Sequence, residues 1–219
     1  MEKHVLRVLL LTVLLMAASA SAPAVELAAS AEQVRPLLLG SKMPEVALRT
    51  TDGKQTSLRA QVDGKPAILV FYRGGWCPYC NLQLSDLRLI VKDVEALGYR
   101  LIAISPDRPE ELSRTMSKDK LDYVLLSDSR AEALAAFGIG YRVDDATIEK
   151  YHGYGIDLEE ASGESHHALP VPSVFIVDAQ GILQFSYSNP DYKVRVPGSV
   201  VLAAAKAIAE RKQYLKPES

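Results

Sequence analysis

Cys77 and Cys80 are the only two cysteines of this chain. They close the run Phe71-Tyr72-Arg73-Gly74-Gly75-Trp76-Cys77-Pro78-Tyr79-Cys80, spaced C-x-x-C. An apolar run, Ala67 to Tyr72, comes before them and a helical pattern follows. Two thiols so placed at a strand-to-helix junction suit reversible dithiol/disulfide chemistry. Pro78 sharpens the geometry. Proline is favoured at the first helical position, where its missing N–H is not needed. Cys77 then becomes the N-cap, and Cys80 sits in the first turn. A thiolate at an N-cap meets backbone N–H groups and the positive end of the helix dipole, so its pKa should fall. Gly74-Gly75 lets the backbone turn sharply and leaves room for a partner. Trp76 either covers one side of the site or packs as ordinary core or rim.

Other uses of the pair fit less well. The loop it would close is short, so a disulfide there removes little unfolded-state entropy and makes a poor staple. A structural zinc site wants four ligands, and there is no second C-x-x-C. His166-His167 could in principle complete one, but adjacent histidines seldom both reach one metal. The same two histidines lie shortly before Val171-Pro172. A general-base role for them competes with a solvated loop pair.

The elements around the pair can be read from punctuation and periodicity. Val46-Ala47-Leu48 reads as a short strand, followed by a turn at Asp52-Gly53-Lys54 and then Thr56-Ser57-Leu58. Ala67 to Tyr72 is continuously apolar, as a strand buried on both faces should be. Leu87, Ile90, Val91, Val94 and Leu97 recur at helical spacing up to Gly98. Arg100 to Ile104 is a second buried strand, and Glu110 to Lys120 an exposed helix. Tyr123 to Leu126 is a third strand, and Ser129 to Phe137 a short helix stopped by Gly138. Val174 to Val177 and Ile182 to Phe185 form a hairpin about Asp178-Ala179-Gln180-Gly181. Ser199 to Leu215 is a final amphipathic helix. Strands alternating with helices predict an α/β fold, a mixed central β-sheet flanked by helices on both faces. Residues 140–170 are polar and too long for a plain connection. They read as an insertion near one end of the sheet, with a short helix at about Asp145 to Tyr151.

The N-terminus reads differently. Lys3 and Arg7 precede an apolar stretch, Val8 to Ala18, and Ala18-Ser19-Ala20 offers a cleavage site, with Ala22-Pro23-Ala24 as an alternative. The apolar run is too short to span a bilayer. The expectation is a signal peptide at 1–20, a mobile or loosely helical leader at 21–39, and one domain at 40–216. The mature protein would then be exported, periplasmic in a Gram-negative source, with no membrane contact after cleavage. With 48% hydrophobic and 24% charged residues the chain has enough apolar material for one core. Its formal charge of −2 supplies no basic field for nucleic acid.

Several segments resemble the peroxiredoxin-like AhpC/TSA (redoxin) group of the thioredoxin-like superfamily, over roughly Gly40 to Leu215. They are Gly40 to Leu48, Asp52-Gly53-Lys54 with Ser57-Leu58, Ile102 to Asp107, Leu125 to Asp128, and Val171 to Asp178. The resemblance implies a thioredoxin-like fold and thiol-dependent antioxidant chemistry. It implies no cofactor beyond a Cys77–Cys80 redox disulfide, and a thioredoxin-like electron donor. Typical members carry Pro-x-x-x-Thr-x-x-Cys after the Phe-Tyr strand end. Aligned on Phe71-Tyr72, Arg73 takes the proline position, Cys77 the threonine, and Cys80 the peroxidatic cysteine. Pro172 stands where the family has its peroxide-activating arginine, and Val171-Pro172 looks like the cis-proline bond of thioredoxins. The chain thus resembles the C-x-x-C subfamily of peroxiredoxin-like proteins. Arg73 is either a substitute for the missing activator or an arginine that snorkels from a strand end to the surface. The second of these is the expectation.

Three functions compete. A thiol peroxidase would use Cys80 to attack a hydroperoxide and Cys77 to resolve the sulfenic acid. A thiol:disulfide oxidoreductase would use Cys77 to attack a protein disulfide and Cys80 to release the mixed disulfide. A non-enzymatic redox-sensing or binding module would dock a partner through the insertion. Helix-cap electrostatics favours Cys77 as nucleophile, whereas the resemblance favours Cys80. Tyr187, Tyr192 and Arg195 follow the hairpin without an assigned chemistry.

Overall fold

The computed structural model describes residues 26–214, with side chains to 211. The expected signal peptide lies outside the described residues. In chain order the elements are a 3-10 turn (Ala31–Gln33), β1 (Ala47–Thr50), β2 (Gln55–Ser57), α1 (Leu58–Val62), β3 (Ala67–Phe71), α2 (Pro78–Arg88), α3 (Val91–Ala96), β4 (Arg100–Ser105), α4 (Pro109–Asp119), β5 (Val124–Ser127), α5 (Glu132–Ala136), β6 (Gly140–Arg142), α6 (Asp145–Gly153), α7 (Leu158–Ser162), β7 (Ala168–Pro170), β8 (Ser173–Val177), β9 (Leu183–Ser188) and α8 (Gly198–Tyr214).

Among the described residues the sheet runs β2-β1-β5-β4-β3-β8-β9. β3, β4 and β5 are parallel, whereas β1 runs antiparallel to β5 and β8 antiparallel to β3, so the sheet is mixed as expected. β3 lies between β4 and β8 with all five residues buried. Its continuous apolar run follows from having two covered faces. Ile68, Val70 and Tyr72 face one hydrophobic cluster, which also holds Cys77, Cys80, Leu84 and Leu87. Ala67, Leu69 and Phe71 face the other, where Phe71, Phe137 and Phe175 meet with ring centroids 4.8 to 5.9 Å apart. Truncating one such ring costs about 3–5 kcal/mol. The cysteine helix therefore sits over a stiff strand.

Three expectations about connections need correction. The helix after the cysteines is two helices, not one. Leu89 and Ile90 donate to carbonyls three residues back, Asp86 and Leu87. That tightening re-aims the chain so that Ile90, Val91 and Val94 stay in the core. Residues 26–39 are an extended strap, not a loose helix. Ala28 and Arg35 donate to the carbonyls of Gly140 and Gly138, and Leu37 to that of Phe137. Leu27, Val34 and Leu37 pack on the second cluster. Residues 140–170 carry the expected helix near Asp145, and also a second helix and a two-stranded ladder of β6 with β7. This segment contributes its own small apolar cluster, in which Trp76 takes part. Among the described residues no helix is long and apolar enough to cross a membrane.

Candidate active site

The site begins where β3 stops. Phe71 pairs with Ile104 on one side and Ser173 on the other, so the following residues emerge at one end of the sheet. Gly74 and Gly75 then turn the chain in confined space. A Cβ on Gly74 would collide with the Trp76 indole nitrogen and the Asp107 carboxylate, and one on Gly75 with the Thr115 hydroxyl. Asp107 Oδ2 accepts the Gly75 N–H at 2.7 Å, which fixes the turn. Cys77 follows as N-cap of α2 with Pro78 at its first position, as the proline predicts. The N–H groups of Cys80 and Asn81 both donate to the Cys77 carbonyl, at 3.0 and 3.1 Å.

Both thiols are free and buried, Cys77 at 1% exposure and Cys80 at 0%. They titrate as a pair and in opposite directions. The Cys80 thiol donates toward the Cys77 sulfur and pulls its pKa down to about 6, against the opposing effect of burial. The Cys80 backbone N–H and the charges of Arg73 and Arg195 add to the lowering. Burial above all, and then the neighbouring Cys77, push the Cys80 thiol well up. Cys77 is thus mostly ionised at neutral pH, and Cys80 is the proton-bearing partner.

Two arginines flank the pair. Arg73 is only 2% exposed, which corrects the surface reading. The strand end from which it was expected to snorkel is roofed by residues 140–170 and the loop before α8. Its guanidinium lies 5.1 Å from the Trp76 ring centroid, 5.4 Å from Tyr151 and 4.3 Å from Tyr192. It also donates to the Tyr151 hydroxyl. Aromatic faces stabilise the cation in place of water. The second arginine, Arg195, is half-buried. Its Nη2 lies 3.1 Å from Cys80 Sγ and 3.8 Å from Cys77 Sγ, its Nη1 donates to Gln83 Oε1 at 2.8 Å, and its Nε to the Tyr192 carbonyl at 2.9 Å. It borders a groove of about 260 Å³ that also touches Tyr79, Leu82 and Val196. Tyr187 braces this loop through the Val194 carbonyl.

The remaining candidates fall into place around these. Trp76 packs against Tyr151, their rings tilted by 53° with centroids 5.8 Å apart, and closes one side of the site, so it is both cover and packing. Pro172 is buried beside the Ser173–Phe71 pair, at the cysteine end of the sheet. The Val171-Pro172 bond is trans, as are all peptide bonds among the described residues, which corrects the cis expectation. Between β7 and β8 the Val171 N–H donates to the Ile139 carbonyl. His166 and His167 are not a solvated pair. His166 Nε2 meets the Ser129 carbonyl and Nδ1 accepts the Ala168 N–H, so both ring nitrogens are engaged. His167 pairs with Glu159 at 2.9 Å. Among the described residues no cluster of histidine, cysteine and carboxylate could hold a metal. Arg195 is the residue the sequence does not reveal. It meets sulfurs 115 and 118 positions away and carries no local motif.

A family model described as the AhpC/TSA family matches residues 39–186. The chain belongs to this family. Peroxiredoxin Bcp of Escherichia coli K12 is 32% identical over 106 residues, covering 48% of this chain and 67% of that protein. Peroxidoxin BcpB from Mycobacterium tuberculosis superposes with a TM-score of 0.60 at 19% identity, over 78% of this chain and 97% of that one. Peroxiredoxin 6 of Arenicola marina superposes at 0.65 with 17% identity, over 81% and 76%. The fold is therefore thioredoxin-like. Cys77, Cys80, Arg73 and Pro172 lie inside the family match, whereas Tyr192 and Arg195 lie beyond it.

Proposed function

We propose that this protein is a thiol peroxidase that reduces hydroperoxides through a Cys77/Cys80 dithiol–disulfide cycle. The observation that carries this reading is Cys77 at the N-cap of α2 beside a fully buried Cys80, with Arg195 Nη2 3.8 Å from Cys77 Sγ and 3.1 Å from Cys80 Sγ. AhpC/TSA membership and the similarity to Peroxiredoxin Bcp support the peroxide as oxidant. Cys77 attacks, by this reading, in place of the Cys80 assignment that the alignment favours. Its thiolate takes the outer oxygen of the hydroperoxide; the O–O bond breaks and an alkoxide leaves, to be protonated to the alcohol. Arg195 faces both sulfurs from the groove side and stabilises the charge that develops on the departing oxygen. Cys80 then attacks the Cys77 sulfenic acid, forming the disulfide and releasing water. A thioredoxin-like dithiol donor restores both thiols.

Burial favours a small oxidant over a protein disulfide in the first step: at 1% and 0% exposure either protein partner, a disulfide substrate or the dithiol donor, reaches the sulfurs only when the site opens. The test is to mix fully reduced protein with one equivalent of peroxide, and separately with a disulfide-bonded substrate protein. The expected result is stoichiometric intramolecular disulfide from peroxide and slow exchange with the protein disulfide. Fast mixed-disulfide formation with no peroxide consumption would reverse the assignment. We also infer export, from the basic, apolar and small-residue order of residues 1–24. The mass of the mature chain recovered from a periplasmic fraction checks it, with loss of about twenty N-terminal residues expected.

A further inference from the structure

Residues 140–170 form part of the roof over Arg73 and the sulfurs, and their outer edge is held by a segment with no part in the chemistry. β6 has a partner on each side. On one side it pairs with β7, Tyr141 opposite Leu169. On the other it takes the strap. The Ala28 N–H donates to the Gly140 carbonyl at 3.0 Å, and the Arg142 N–H to the Ala28 carbonyl at 2.9 Å. Two glycines make room for this contact. A Cβ on Gly138, whose φ is +68°, would collide with the Arg35 carbonyl, and one on Gly140 with the Leu27 side chain. From β7 the contacts run on to the cysteine loop. Val143, Leu158 and Leu169 pack against Trp76 and Tyr151. Tyr151 in turn meets the Arg73 guanidinium and the Trp76 ring, and Trp76 directly precedes Cys77.

We propose that the strap, residues 26–39, is a latch on this roof. Docked, it holds β6 and β7 down over the cysteine loop. Released, it lets them lift, so that a protein dithiol reaches the Cys77–Cys80 disulfide. The proposal rests on the peroxidase reading, whose reductive half needs such an opening because both thiols are buried. The strap is built to detach first. No residue from Glu26 to Gly40 is fully buried. Beyond the two bonds at Ala28, its hold is the N–H groups of Arg35 and Leu37 on the Gly138 and Phe137 carbonyls, at 2.9 and 3.1 Å, and the half-buried Leu27, Val34 and Leu37. Segments with so few buried contacts open locally at small cost, whereas β3 and β8, buried throughout, belong to the part that opens last. Release stops at Gly40, whose N–H donates to the Leu183 carbonyl at 2.9 Å and ties the chain to the hairpin. The far side of the roof stays attached as well. The Ala161 carbonyl accepts the Arg108 N–H at 2.8 Å, and His166 Nε2 meets the Ser129 carbonyl at 2.7 Å. The strap edge is therefore the one that lifts. Residues 26–38 precede the family match, so the latch lies outside the shared domain.

The test compares reduced wild type with Ala28→Pro, which removes the N–H donated to Gly140 and touches no side chain of the site. Amide hydrogen exchange is followed in residues 140–170 and, as a control, in β3. The thiols are labelled in parallel with N-ethylmaleimide and with a maleimide carrying a long polyethylene glycol chain. Ala28→Pro is expected to speed exchange in residues 140–170 roughly 10-fold while leaving β3 unchanged. It is also expected to raise the rate of the bulky label more than that of the small one. Exchange in residues 140–170 as slow as in the wild type overturns the latch, and so does faster exchange with no gain in bulky over small labelling. Should Ala28→Pro fail to fold, Leu27→Ser, which loosens the strap over Gly140 through its side chain alone, carries the same readouts with the same outcomes. The peroxidase reading fails separately. A wild type that consumes no peroxide sinks it, whatever the strap does to exchange and labelling.

Discussion

Arg73 and Arg195 approach the same pair of sulfurs from different surroundings. Arg73 leaves the end of the most buried strand, inside the family match, and is locked among Trp76, Tyr151 and Tyr192. Arg195 arrives from a loop beyond that match, half-buried beside a groove, with its guanidinium on Gln83 and both sulfurs. The contrast shows one charge serving two purposes. A cation held in an aromatic cage is fixed and dry, so it adds a constant part to the lowering of the Cys77 pKa that the Cys80 thiol leads. A cation at the groove side is placed, in the proposed mechanism, to act on the charge that appears when the oxidant reacts.

This division can be broken by exchanging the effects of the two residues. The largest expected loss is in Arg195→Ala, where the second-order rate with peroxide should fall roughly 10²-fold. Stability should fall by about 1 kcal/mol, because buried Gln83 loses the guanidinium that donates to its Oε1. Stopped-flow kinetics and a denaturant melt read the two numbers. Arg73→Met should do the reverse and cost about 2 kcal/mol of stability with the loss of its desolvated cation–π contacts. It should also raise the Cys77 pKa more than Arg195→Ala does, since Arg73 is the stronger of the two charges acting on that thiol. Thiolate ultraviolet absorbance against pH measures it. If Arg195→Ala moved the titration more and Arg73→Met the rate more, the two roles would be exchanged. The smallest effect belongs to Tyr151→Phe, which removes only the hydroxyl that accepts from Arg73, about 1 kcal/mol in a melt.

The pH dependence follows from the direction of the Cys77 shift. Its folded pKa, about 6, lies below the ordinary thiol value of 9.0. Ionisation therefore adds stability above the unfolded value, and that contribution is lost as pH falls through about 6. The initial rate with peroxide should fall across the same window. A rate that keeps climbing into the alkaline range would instead point to Cys80.

What the sequence made legible was the part set by local pattern. Ala67–Phe71, Arg100–Ser105 and Ser173–Val177 announce themselves as strands because both faces are covered, leaving no polar alternation. Cys77 and Pro78 announce the helix start by proline's fixed φ. The failures are contacts that local pattern does not encode. β6 and β7 are three residues each and pair across 25 intervening positions, from Gly140–Arg142 to Ala168–Pro170. The strap at 26–39 is held by backbone hydrogen bonds to the 137–140 turn, which leave no side-chain signature. Arg73 reads as a strand-end arginine until the three aromatic rings, drawn from the loop before α2, from α6 and from the loop before α8, close over it. Arg195 has no motif because its partners are sulfurs in a distant helix.

The identity of the attacking sulfur tests the account most directly. Reduced Cys77→Ser and Cys80→Ser are each given one equivalent of peroxide, and sulfenic acid is trapped and located by mass spectrometry. Sulfenic acid is expected on Cys77 in Cys80→Ser, and almost none in Cys77→Ser. Rapid sulfenic acid on Cys80 in Cys77→Ser, with none in Cys80→Ser, would contradict it.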